Sequence, residues 1–220
     1  MSTDENAEIE GPAPGGVGLL IIDMINDLDF PGAEGMTRQL GAASAAILAL
    51  RDEADRLHVP VVYVNDNHGQ WHSERSRIID HCLRPDSPGR AVVEQIKPRP
   101  NDFFVIKPQF SGFYATNLPV LLPRLKITRL ILTGVAADIC VLFTAADAHM
   151  REYGLWVPGD AVASNDEQRR DWALEIMKTS MAAQTSPTSE LSLADWTNNG
   201  SSATDAAQAS VDLTQMEPHA

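Results

Sequence analysis

The stretch "LILTGVAADICVLFTAADA", residues 130–148, decides the architecture and raises the chemical question. Strand-forming apolar residues end at Gly134, cross a run of small residues and meet Cys140 where a helical pattern begins. A strand followed at once by a helix is half of a βαβ unit, and the pattern recurs along the chain. "GVGLLIID" (16–23), "PVVYVN" (60–65), "DFFVIK" (102–107) and "LWVPGDA" (155–161) read as further strands. A weak sixth strand is placed near 182–185. Helical spacing of Leu40, Ala43, Ile47, Leu50, Ala54 and Leu57 marks a helix over about 36–57. Further helices are expected over about 117–126, 138–153 and 167–181. Short apolar strands alternating with helices imply an α/β domain, doubly wound, with a parallel sheet covered on both faces.

The composition bounds the rest. A chain of 220 residues with 44% apolar content fits one sizeable domain. The formal charge of −13 is concentrated at the ends. Residues 1–16 hold Asp4, Glu5, Glu8 and Glu10, and residues 190–220 hold Glu190, Asp195, Asp205, Asp212 and Glu217, with no Lys or Arg in either. The expected organisation is therefore an acidic N-terminal tail over 1–15, the domain over 16–189, and an acidic, flexible C-terminal tail over 190–220. No basic footprint for nucleic acid is present, and no apolar run is long enough to cross a membrane. The acidic start is unlike a signal peptide, so a cytoplasmic location is expected, with Cys82 and Cys140 as thiols.

In doubly wound folds ligands sit beyond the carboxyl ends of the strands. That rule selects Asp23, Lys107 and Cys140, each of which closes or follows a strand. A cysteine in the first turn of a helix feels the positive end of the helix dipole, which favours the thiolate, the nucleophilic form. Asp23 is placed to take its proton, and Lys107 to hold the aspartate and balance charge. Each residue also has a plain reading: a small core cysteine, a loop-capping aspartate, a solvated lysine.

Three segments together resemble the isochorismatase-like cysteine hydrolase superfamily: "LLIIDMINDLDFPG", "FFVIKPQFSGFYATNL" and "LILTGVAADICVLFTAADAHMREYGLWVPGDAVAS". The resemblance spans about 16–189 and implies a three-layer α/β/α fold around a six-stranded, mainly parallel sheet. It implies an Asp–Lys–Cys triad at Asp23, Lys107 and Cys140. It also implies a cis peptide at Val135–Ala136, with the N–H groups of Ala136 and Cys140 facing an oxyanion. Homodimers or homotetramers are implied as the assembly. True isochorismatases lack the cysteine, so the resemblance points to the amidase branch, acting on a small-molecule carboxamide, ureido or carbamoyl substrate through a thioester without a cofactor. Ile25 stands where the family commonly has Gln.

The long segment 65–89 contains Asp66-Asn67-His68 and, further on, His81. Nicotinamidases carry an Asp-x-His pair and a second His as ligands of a divalent metal, so Asp66, His68 and His81 form a candidate metal set; otherwise they are pocket or packing residues. Trp71, Phe110 and Phe113 are candidates for the substrate pocket. The competing functions are a metal-dependent nicotinamidase and a non-catalytic binding or scaffold protein.

Overall fold

The computed structural model describes residues 16–67, 69 and 73–198. Six parallel strands make one sheet: β1 (Gly16–Ile22), β2 (Val61–Asp66), β3 (Phe103–Lys107), β4 (Ile127–Val135), β5 (Gly154–Trp156) and β6 (Val162–Ala163). The spatial order is β3-β2-β1-β4-β5, with β6 also paired to β4. Between them run α1 (Ala33–Arg56), α2 (Arg75–Cys82), α3 (Arg90–Ile96), α4 (Leu118–Arg124), α5 (Leu142–His149) and, last, α6 (Glu167–Met181). This is the three-layer, doubly wound α/β architecture anticipated from the strand–helix alternation.

The central strands carry long unbroken apolar runs because alternate side chains enter two different cores. Leu19, Ile21, Val61, Tyr63 and Ile131 face the layer containing α1 and α3. Leu20, Ile22, Val62, Val64, Leu130 and Leu132 face the layer containing α4 and α5. Leu19 through Ile22 are wholly buried. Strand order reverses between β1 and β4, and Gly134 of β4 pairs directly with Ile22 of β1. There φ is +108°, and a Cβ would lie 2.0 Å from the Ile22 carbonyl oxygen, so only glycine fits.

Several expectations need correction. The segment 155–161 is a strand only as far as Trp156, because Pro158 has no N–H to give to a ladder. The sixth strand is Val162–Ala163 rather than 182–185, where Gln184 forms only an isolated bridge with Trp156. The long stretch between β2 and β3, which shows no helical periodicity in the sequence, contains α2 and α3, each docked by a pair of residues, Ile78 with Cys82 and Val93 with Ile96.

Part of the segment after residue 189 is also structured. Residues 193–198 are helical, Leu193 is wholly buried, and Trp196 lies 6.0 Å from Trp156 beneath the Arg129 guanidinium. Two apolar anchors outweigh the acidic composition there, so residues 193–198 pack against the domain instead of standing clear of it. The N-terminal segment 1–15 and residues 199–220 lie outside the described residues.

Candidate functional site

Four neighbouring strands deliver four polar groups to the same edge of the sheet. Lys107 ends β3, Asp66 ends β2, Asp23 follows β1, and Cys140 follows β4 across the switch point. Parallel pairing puts Asp66 opposite Lys107 in register. Asp23 adopts a left-handed conformation (φ 51°), a region that Asp tolerates better than most residues. Its backbone N–H donates to the Val64 carbonyl at 2.9 Å. Beyond it, Asn65 secures the chain on both sides of Ile25, accepting from its N–H at 3.1 Å and donating to its carbonyl at 3.0 Å.

The Lys107 ammonium, fully buried, is the hub. It lies 2.9 Å from the Asp23 carboxylate, 3.4 Å from Cys140 Sγ and 3.4 Å from the Asp66 carboxylate. The other Asp23 oxygen accepts from the Asp66 N–H at 2.7 Å. The Cys140 sulfur lies near enough to Asp23 for each to shift the ionisation of the other. Asp23, Lys107 and Cys140, chosen from three separate segments of the sequence, are thus in mutual contact.

Charge in this enclosed site is set by burial and by the lysine. Burial raises the Asp23 pKa above the usual carboxylate range, against the pull of Lys107 and of the thiol hydrogen bond. Burial works to lower the Lys107 pKa, but Asp23, Cys140 and Asp66 carry it above the usual lysine value. Burial and then the Asp23 charge push Cys140 up to about 12, with Lys107 opposing. Desolvation and the neighbouring anion thus favour the thiol at rest, against the pull of Lys107 and of the helix end.

Cys140 lies in a π-helical turn, Ala137–Val141, that leads into α5. The Ala136 carbonyl accepts from the N–H groups of both Ile139 and Val141 at 3.1 Å. The Val135–Ala136 peptide bond is cis.

The other candidates are scattered. His81 sits on α2 with Nε2 2.7 Å from the Asp27 carboxylate, while Asp66 faces the Lys107 ammonium. Among the described residues no three His, Cys, Asp or Glu side chains are grouped to hold a metal, and His68 lies outside those residues. The candidate set Asp66, His68 and His81 therefore includes a residue outside those described. Phe110 is half exposed and lines a groove of about 340 Å³ with Tyr114 and Phe143, its ring 5.5 Å from that of Phe143. Phe113 turns the other way: it is buried against Tyr153 and is core rather than groove wall. Trp71 lies outside the described residues. Sequence reasoning missed Asn65, whose signal was a lone amide closing the apolar run "VVYVN", and weighed Asp66 only as a metal ligand.

No helix among the described residues is long and apolar enough to cross a membrane. The Isochorismatase domain profile matches residues 17–189. An uncharacterised isochorismatase family protein of Bacillus subtilis, YaaI, is 38% identical over 166 residues, covering 76% of this chain and 91% of its own. The N-carbamoylsarcosine amidase structure from Thermoplasma acidophilum superposes with a TM-score of 0.59 at 29% identity, over 80% of this chain and 99% of that one. The Staphylococcus aureus nicotinamidase SaPncA gives a TM-score of 0.60 at 26% identity, over 78% and 97%. A profile that spans the whole sheet, from β1 through α6, leaves one conclusion: the chain belongs to the isochorismatase-like hydrolase superfamily.

Proposed function

We propose that the protein is a cysteine amidohydrolase that cleaves a small carboxamide, ureido or carbamoyl compound through a thioester. One observation carries this reading: a single buried ammonium, that of Lys107, bonds the Asp23 carboxylate and the Cys140 sulfur together. The likeness to an N-carbamoylsarcosine amidase supports it.

Because Cys140 rests as a thiol, its proton must leave as the sulfur attacks. Asp23 accepts that proton while the S–C bond forms and the carbonyl π pair moves to oxygen. The N–H groups of Ala136 and Cys140 hold the resulting oxyanion, as backbone donors at the start of a helical segment lack intrahelical acceptors. Asp23 then gives the proton to the substrate nitrogen, the C–N bond breaks, and ammonia or an amine departs. In the second half Asp23 takes a proton from water, the hydroxide attacks the thioester, and the proton returns to the departing Cys140 sulfur. Throughout, Lys107 keeps the aspartate in place and offsets negative charge. Phe110 supplies an apolar wall for the acyl part of the substrate.

The test is ammonia release across a panel of small amides, ureido acids, carbamoyl amino acids and nicotinamide, with Cys140→Ala as control. Turnover of at least one compound by the wild type, and none by Cys140→Ala, is expected. Full activity of Cys140→Ala on that compound would sink the mechanism.

A further inference from the structure

The turn that presents Cys140 is wide, a π winding in which one carbonyl serves two N–H groups, and the methyl of its N-cap, Ala136, gives it no capping hydrogen bond. What braces it is Asp138, two residues before the nucleophile. One Asp138 oxygen accepts from Ser164 Oγ at 2.5 Å, and the Asp138 N–H reaches the same hydroxyl at 3.4 Å. The other oxygen lies 2.7 Å from Nε of Arg169 on α6. Ser164, wholly buried just after β6, is itself fixed: its carbonyl accepts from Gln39 Nε2 of α1 at 2.7 Å. Gln39 in turn accepts from Arg170 at 3.2 Å. The carboxylate therefore ties the turn to α6 and, through Ser164, to α1, and these bonds are made with Ser164 and Arg169 and not with the triad residues.

We infer that Asp138 is a positioning residue: through Ser164 and Arg169 it sets the placement of Cys140 against Lys107 without touching substrate. The inference rests on the amidohydrolase reading for its kinetic consequences, but not for its geometric one. A nucleophile held 3.4 Å from its partner tolerates little drift, and a displacement near 1 Å costs about 100-fold in rate. Asp138→Asn keeps an acceptor for Ser164 and loses the charge facing Arg169. Asp138→Ala loses both.

Three readouts decide it: kcat and KM for ammonia release, the rate at which iodoacetamide labels Cys140 (followed on the Cys140 peptide by mass spectrometry), and the thermal midpoint as a control for folding. Asp138→Ala is expected to lower kcat about 10- to 100-fold with KM within about twofold, and Asp138→Asn to recover much of that loss. Labelling of Asp138→Ala at about pH 8 is expected to quicken at least about threefold, because a drifting sulfur gains solvent and its thiol ionises more readily. A folded Asp138→Ala protein with unchanged labelling overturns the inference, as does a raised KM at unchanged kcat, which would put Asp138 against substrate. If Asp138→Ala does not fold, Arg169→Gln with Asp138→Asn decides: wild-type kcat and labelling in the pair overturn it. Ammonia release that survives in Cys140→Ala defeats the amidohydrolase reading instead, and the labelling rate, which needs no substrate, still judges the positioning.

Discussion

Replacing Asp23 with asparagine should make Cys140 a more reactive thiol and the protein a far poorer catalyst. In the native site the aspartate and the sulfur both bond the Lys107 ammonium, at 2.9 and 3.4 Å, so their charges stand at most about 6 Å apart. At that separation and an effective dielectric near 20, a carboxylate opposes ionisation of the thiol by about 3 kcal/mol, or about 2 in pKa. Removing it leaves Lys107 facing the sulfur with less opposition and lowers the thiol from about 12 towards about 10. The thiolate fraction at about pH 8 then rises about 100-fold, while the weaker nucleophilicity of the less basic thiolate returns about tenfold of that gain. Iodoacetamide labelling of Cys140, read by mass spectrometry, should therefore quicken about tenfold in Asp23→Asn. Turnover should fall by at least about 100-fold, because the variant has no group to carry the proton to the leaving nitrogen. Labelling that is unchanged or slower would refute the view that the aspartate charge helps hold the thiol protonated.

Other consequences are open to simpler measurement. kcat/KM followed from about pH 4 to about pH 10 should rise through the Asp23 ionisation, since the carboxylate must be charged to accept a proton. That acid limb should lie above the ordinary carboxylate range because burial raises the Asp23 pKa. Phe110→Ala should raise KM about three- to tenfold while leaving kcat near its native value, as expected for a lost apolar wall. Leu193→Ala, at a wholly buried site in the segment first assigned to a tail, should cost about 2–3 kcal/mol and lower the thermal midpoint by roughly 5–10 °C. Circular dichroism melts of full-length protein would show it, and an unchanged midpoint would return 190–198 to the tail.

The fold was legible because parallel strands buried on both faces leave unbroken apolar runs, and "GLLII", "VVYV" and "LIL" are such runs. Asp23, Lys107 and Cys140 were legible for a related reason: each is where such a run stops, or soon after. What escaped depended on neighbours remote in sequence. The second role of Asp66, bonding Asp23 through its N–H, exists only once β1 and β2 are paired. The ionisation of Cys140 could not be read from its place at a helix start, since burial and the Asp23 charge, which oppose it, come from the packed site. Helices α2 and α3 are too short for periodicity to reveal, and the docking of Leu193 and Trp196 was masked by the acidic residues around them.

A sulfur kept protonated until a carbonyl arrives also has a chemical lifetime outside the catalytic cycle. Peroxides and disulfides attack thiolates, so a cysteine ionised at rest is exposed to sulfenic acid formation and mixed disulfides whenever the site is empty. With Cys140 pushed up to about 12, only a minute fraction is ionised at neutral pH. Burial and the Asp23 charge thus slow oxidation of the resting sulfur, and its proton leaves most readily when an electrophile stands beside Asp23 and Lys107.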